Sequence, residues 1–155
     1  MPFLGTHDTP GFLHRAGGDR RALLLGLTLL VTVPGMPLLY YGDEVGRAGG
    51  EWPANRSDMP WSAAEGADLA LRAQVTRLLA ARRGLAGDLR VLHGEGQVIA
   101  FRRGDRALVV LNAGMKAARV PLPAGAWEDR LGWGAEVSAG ATLVPARSAA
   151  LLRRR

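Results

Sequence analysis

Residues 3 to 13 read Phe-Leu-Gly-Thr-His-Asp-Thr-Pro-Gly-Phe-Leu. An apolar pair, Phe3-Leu4, runs through Gly5 into His7 and Asp8 before Pro10-Gly11 breaks the chain. A His-Asp pair delivered by the end of a strand is a common way of building an active site. An acid two residues before a proline can equally close a local Asx turn and do nothing more. A second concentration of functional side chains lies in the long loop Asp43 to Trp61, which holds Asp43, Glu44, Trp52, Arg56 and Trp61 among Gly, Pro and Asn. There Arg56 is either a forked donor to a bound molecule or a brace for its own loop.

Several kinds of chemistry are excluded by composition. Cysteine is absent, so disulfides, thiolate chemistry and cysteine metal sites fall away together. The three histidines, His7, His14 and His93, make no metal-ligand spacing, and neither a metal nor a cofactor is expected. The formal net charge is +6, with Lys116 as the sole lysine among twenty basic residues. This Arg, Ala, Gly and Leu bias resembles the codon usage of a GC-rich genome. The arginines are scattered apart from Arg153-Arg154-Arg155, which is no nucleic-acid footprint, and no nucleic-acid partner is expected.

Residues 22 to 41 carry no charge and are long enough to span a bilayer. Pro34-Gly35-Met36-Pro37 cuts that run into a helix-length and a strand-length piece, which reads as buried core rather than membrane. No basic region followed by an apolar one opens the sequence, and a cytoplasmic location is expected.

The elements that must position these residues follow from periodicity. Pro2–Thr6 and Leu38–Tyr41 read as short strands, and Asp19 caps a helix from Arg20 to about Val33, apolar nearly all round and hence buried. Ser62-Ala63-Ala64-Glu65 has the S-x-x-E form of a capping box. In the helix it should open, Leu71, Val75, Leu78 and Leu79 share one face, and Gly84 ends it. After Gly84 six short apolar runs recur: Leu89–Leu92, Val98–Arg102, Ala107–Leu111, Ala118–Leu122, Ala141–Val144 and Ala149–Leu152. Their spacing predicts an antiparallel sandwich, with Gly104-Asp105 as a two-residue hairpin turn. The expected organisation is α/β over residues 1–83 and all-β over 84–155. Two parallel strands bury too little to be a complete architecture, so further strands are expected upstream of this sequence. Open sheet edges lead to the expectation of self-association when the chain is made alone.

FLGTHDTPGFL resembles the fourth conserved region of the α-amylase family, glycoside hydrolase family 13. The segment PGMPLLYYGDEVGRAGGEWPANRSDMPW, residues 34 to 61, resembles that family's last barrel strand and following loop. The stretches VIAFRRGDRALVVLNAG and PLPAG resemble its C-terminal sandwich domain. The resemblance implies the last two strand-helix units of an incomplete (β/α)8 TIM barrel, followed by an antiparallel β-sandwich. It implies a retaining enzyme acting on α-glucans, whose carboxylate nucleophile and general acid stand about 5–5.5 Å apart. In the family those two acids come from strands four and five, and no segment of this chain resembles the regions that carry them.

By the same resemblance Asp8 is the third acid, which stabilises the transition state, and His7 the neighbouring donor to sugar hydroxyls. Arg56 matches the loop's arginine, and Trp52 is the best placed of four tryptophans for a sugar contact, with packing as the alternative fate of all four. Asp43-Glu44 falls in the YYGDE turn, to which the resemblance assigns a structural role. Gly11 stands where the family often has Arg, and Trp52-Pro53 where it has Asp-Pro.

The implied function is the C-terminal part of an α-glucan-acting glycosidase, of maltogenic amylase or neopullulanase type. Such a part is inactive alone and partnered by an upstream barrel fragment, with an α-glucan or maltooligosaccharide as ligand. A non-catalytic carbohydrate- or partner-binding module and a degenerate gene fragment are the competing readings.

Overall fold

The computed structural model describes residues 1–155, which fall into two compact units. The first comprises residues 1–31 and 35–76; the second comprises 32–34 and 77–155.

In the first unit a short helix α1 (Phe12–Arg15) precedes α2 (Arg20–Thr32), whose last residue is grouped with the second unit. Asp19 caps α2 as the sequence predicts, its Oδ1 accepting from the backbone N–H groups of Arg21 and Ala22 at 3.0 Å each. Leu23, Leu27, Leu30 and Val31 are buried along one face, while Leu29 is exposed. The helix ends ahead of Pro34, whose ring disfavours helical backbone in the residue before it. The strands expected at Pro2–Thr6 and Leu38–Tyr41 reduce to one parallel bridge, Phe3 to Leu38, with Leu38 N–H donating to Pro2 O at 2.9 Å. The direction of pairing is as expected, but two segments with no neighbours on either side cannot extend a ladder.

The capping-box expectation is corrected. Residues Ala63–Glu65 form a single 3-10 turn closed by Gly66, and Glu65 Oε2 accepts from Trp61 N–H at 2.7 Å. The helix α3 (Leu69–Arg82) starts later, with Asp68 as its cap: Oδ1 accepts from Leu71 N–H at 2.9 Å and Oδ2 pairs with Arg20 at 2.6 Å. An Asp held by an arginine beyond a left-handed glycine outcompetes the serine. Leu71, Val75 and Leu78 are buried, whereas Leu79 is exposed.

The second unit holds eight antiparallel strands: β1 (Leu89–Glu95), β2 (Val98–Arg103), β3 (Ala107–Asn112), β4 (Ala118–Pro121), β5 (Trp127–Asp129), β6 (Glu136–Ser138), β7 (Ala141–Val144) and β8 (Ser148–Arg154). One sheet runs β1-β2-β3-β8-β5 and the other β4-β7-β6. Between them lie Ala100, Leu108, Val110, Val120, Trp127, Val144, Ala150 and Leu152, alternate residues of facing strands, as a sandwich requires. The two strands that periodicity missed, β5 and β6, are three residues each, too short to show an alternation. The β2–β3 hairpin is closed by three residues rather than two, because Arg103 pairs with Ala107. Gly104 opens the loop at φ 55°, where a Cβ would lie 2.8 Å from Ala86 O. The register of β1 slips between Val91 and His93, and this strand forms the open edge of its sheet.

Two arginines from the sheet close helix ends. Arg103 on β2 donates to Thr32 O, the last carbonyl of α2, and Arg153 on β8 donates to Ala81 O at 3.2 Å and Arg83 O at 2.7 Å, at the end of α3. Terminal helix carbonyls have no partner within their helix, so a fixed guanidinium satisfies them and meets the negative end of the dipole. No helix is long and apolar enough to cross a membrane.

Leu152 is fully buried at the centre of the sandwich. The Leu152→Ala variant is expected to lose about 2–5 kcal/mol of stability with an unchanged m-value in urea unfolding; a loss below about 1 kcal/mol would contradict its place in a close-packed core.

Candidate functional site

The turn that carries His7 and Asp8 is closed by the two threonines around it. Thr9 N–H donates to Thr6 O at 3.3 Å, Thr6 N–H to Thr9 Oγ1 at 2.9 Å, and Asp8 N–H to Thr6 Oγ1 at 3.2 Å. With the turn held this way the Asp8 carboxylate is turned to other partners. Its Oδ1 accepts from Arg56 Nη2 at 3.2 Å, and its Oδ2 lies 3.2 Å from His7 Nε2. Arg56 Nε donates to His7 O at 3.1 Å. Three of the four residues singled out from the sequence are thus in one contiguous group. All three side chains are well exposed, so these pairs contribute about 0–1 kcal/mol each and orient the groups more than they stabilise the fold.

Beneath this group sits Asn55, which is 1% exposed. Its Nδ2 donates to His7 O at 2.7 Å and to Thr9 O at 3.2 Å, which fastens the loop to the turn. Asn55 and Arg56 belong to a single 3-10 turn, Ala54–Arg56. One element therefore presents both the buried amide that fixes the turn and the exposed guanidinium that meets Asp8.

Arg47, not singled out from the sequence, is the centre of the loop. It is 9% exposed, and its guanidinium lies 4.2 Å from the ring centroid of Tyr41 and 5.3 Å from that of Tyr40. It donates to Tyr41 O at 3.3 Å, Asn55 O at 3.2 Å, Ser57 O at 3.2 Å and Ser57 Oγ at 3.0 Å. The tyrosine hydroxyls add Tyr40 to Asn55 O at 3.2 Å and Tyr41 to Ser57 O at 2.9 Å. Gly42 stands at φ 88°, and a Cβ there would approach Arg47 side-chain atoms to 2.5–2.8 Å. Only glycine fits. The signal in the sequence was the YYG stretch followed by a lone arginine, hidden by the abundance of arginine elsewhere.

The acidic pair after Gly42 divides by environment. Glu44 Oε2 accepts from Gly42 N–H at 2.9 Å. Asp43 is buried, and burial pushes its carboxyl from 3.8 up to about 6, with Glu44 adding to the rise and Arg47 opposing it.

Trp52 and Trp61 are both exposed, at 72% and 77%, whereas Trp127 packs in the sandwich with Nε1 donating to Pro123 O at 2.9 Å. His14 faces Glu51 at 3.9 Å on the surface. His93 lies on β1. No three His, Asp or Glu side chains converge to hold a metal ion. The departure at Gly11 has a local reason. Its N–H donates to Gly49 O, and a Cβ would lie 2.5 Å from that oxygen and 2.7 Å from Ala48 O, so no side chain is accommodated there.

Known proteins match this chain in both sequence and fold. Residues 90–151 match the family model of the α-amylase C-terminal all-β domain. The cyclomaltodextrinase of Geobacillus thermopakistaniensis (strain MAS1) is 33% identical over 129 residues, covering 77% of this chain and 22% of that protein. The maltogenic α-amylase of Bacillus acidopullulyticus is 44% identical over 59 residues, 38% of this chain and 10% of the relative. The crystal structure of an Anoxybacillus α-amylase superposes with a TM-score of 0.80 at 28% identity, covering 99% of this chain and 38% of that one. The chain spans about a fifth or less of the length of these curated relatives.

The Asp43 shift gives a pH signature with a definite sign. A carboxyl raised from 3.8 to about 6 on folding contributes stability that is fully present below pH 4 and is lost as pH rises through about 6. Two units correspond to at most about 3 kcal/mol. Asp43→Asn keeps the neutral form at all pH values. It is expected to melt higher than the parent chain at pH 8 and level with it at pH 4, as followed by circular dichroism; a constant offset between the two would contradict the assignment.

Proposed function

Because this chain corresponds in sequence and fold to the C-terminal portion of α-amylase-family enzymes, we propose that it is the part of a retaining α-glucan-acting glycoside hydrolase that supplies the third acid of the catalytic centre. Residues 1–83 would then be the final two strand-helix units of the catalytic (β/α)8 barrel and 84–155 the C-terminal domain. The observation that carries the proposal is the Asp8, His7 and Arg56 group, drawn from the two motifs that bear the family resemblance and lying within hydrogen-bonding reach of one another.

The chemistry follows from charge. A retaining reaction passes through an oxocarbenium-like transition state between a nucleophilic carboxylate and a carboxylic acid. Asp8 puts a fixed negative charge beside the ring on which positive charge develops, and fixed charge already in place is worth most where it needs no rearrangement. Arg56 donates to that carboxylate and His7 Nε2 lies 3.2 Å from its other oxygen, and the remaining guanidinium N–H groups can meet sugar hydroxyls. Trp52 offers an exposed apolar face against which a sugar ring can lie. In this reading the nucleophile and the proton donor come from outside these 155 residues, and activity needs the barrel strands that carry them. The ligand in this reading is an α-glucan or maltooligosaccharide.

The exposure of both Trp52 and Trp61 also suits a second reading, in which the chain holds a glucan without cleaving it. Mixing experiments separate the two. The chain alone is expected to leave a chromogenic α-maltooside intact, and hydrolysis is expected on adding a polypeptide carrying the first six barrel strands. In that mixture Asp8→Asn should lower kcat/KM by about 100- to 1000-fold. Cleavage by the isolated chain, or full activity of the variant mixture, would overturn the catalytic assignment; maltotriose binding with no activity in any mixture would favour the second reading.

A further inference from the structure

Arg47 stands out among the buried groups because a full positive charge is costly to remove from water unless every donor is used. An apolar side chain could fill the same space beneath the tyrosine rings without that cost. What the guanidinium adds is reach: one planar group donates at once to Tyr41 O, Asn55 O and Ser57 O. The last two carbonyls belong to the residues immediately before and after Arg56.

We infer that Arg47 is a positioning residue: by gripping the backbone on both sides of Arg56 it fixes where the Arg56 guanidinium meets Asp8. Two further lines of geometry support the assignment. Tyr40 and Tyr41 donate their hydroxyls to the same two carbonyls, so Asn55 O and Ser57 O each receive one tyrosine and one Arg47 donor. Gly42 has no room for a side chain because Arg47 lies across it, so the turn is shaped around this arginine. From Asn55 the constraint passes through its side chain to His7 O and Thr9 O, the backbone of the turn bearing Asp8. The 3-10 turn Ala54–Arg56 is therefore tied at its base by Arg47 and at its tip to the residues it serves.

The consequence for the proposed reaction is preorganisation. Displacing a binding group by about 1 Å is enough to cost on the order of 100-fold in rate, and an arginine on an untied loop has that freedom. This functional meaning rests on the proposed role of Asp8 and Arg56; the mechanical claim does not, and it is tested on the free chain.

The experiment compares the 155-residue chain with Arg47→Met and Arg47→Lys by nitrogen-resolved nuclear magnetic resonance at mildly acidic pH and low temperature. The readouts are the exchange rate of the Arg56 Nε–H, which is bonded to His7 O, and the amide protection of Val109 and Val110 in β3. In Arg47→Met the Arg56 Nε–H is expected to exchange about tenfold faster, the loss of roughly one net hydrogen bond, with β3 protection unchanged. Arg47→Lys keeps the charge but not the fork, and is expected to leave that exchange at least severalfold fast. It also carries the comparison should Arg47→Met fail to fold. Unchanged Arg56 exchange in a folded variant, with only a lowered melting temperature, would overturn the inference and leave Arg47 a packing residue. Full rescue by lysine would overturn it too, since charge alone would then suffice. If Arg56 exchange responds as expected but no mixture hydrolyses glucan, the positioning stands and the catalytic proposal falls.

Discussion

Irregular backbone leaves carbonyl oxygens that no ladder or helical turn can satisfy, and each one removed from water needs a donor from somewhere. In both units of this protein the donor is repeatedly an arginine. Arg15 reaches Leu4 O, Arg56 reaches His7 O and Arg47 takes three carbonyls within the loop. In the second unit Arg77 meets Leu131 O, Arg103 meets Thr32 O, Arg153 meets the end of α3 and Arg154 meets Ala124 O. A guanidinium presents several N–H groups in a fixed plane, whereas an ammonium is a compact point charge. The near absence of lysine is therefore more than a matter of codon usage: at these positions the geometry of the fork is what holds the loops.

That constraint explains why the exposed group at His7, Asp8 and Arg56 can have a defined shape at all. Surface ion pairs alone are too weak to fix Arg56 against the distant His7-Asp8 pair. The order comes from below, where Asn55 joins the turn to the loop and Arg47 joins the loop to Tyr41. The close approach of Gly11 to Gly49 removes the remaining slack, since the two backbones touch with no side chain between them.

What could be read from the sequence divides along the same line. Asp19 and the α2 helix were legible because a capping residue and a helix-length apolar run are local signals. The sandwich strands were legible because burial on one face imposes alternation, and Ala141–Val144 appears with the predicted bounds. The start of α3 differs from the sequence expectation because Ser62 and Glu65 satisfy the same local rule as Asp68, whereas Asp68 also has the Arg20 partner, far away in sequence, and stands beyond the left-handed Gly66. For the same reason His7, Asp8 and Arg56 could be named from motif resemblance, but Arg47 and Asn55 could not. Their significance lies in which carbonyls they reach, and no spacing rule encodes that. The strands Pro2–Thr6 and Leu38–Tyr41 read as more regular than the single bridge they form, because apolar composition reports burial without supplying the neighbouring strand that a ladder needs.

The slipped register of β1 has a consequence for how the molecule behaves among its own copies. Val91 and Leu92 are both exposed on that outermost strand, an aliphatic pair beside unpaired backbone groups, which is the ordinary template for sheet-to-sheet aggregation. The extra residue at Leu92 spoils the spacing a docking strand would have to match, and an irregularity of this kind adds local twist to a strand. An irregularity that looks like a flaw in the ladder thus acts as a guard on its most adhesive border.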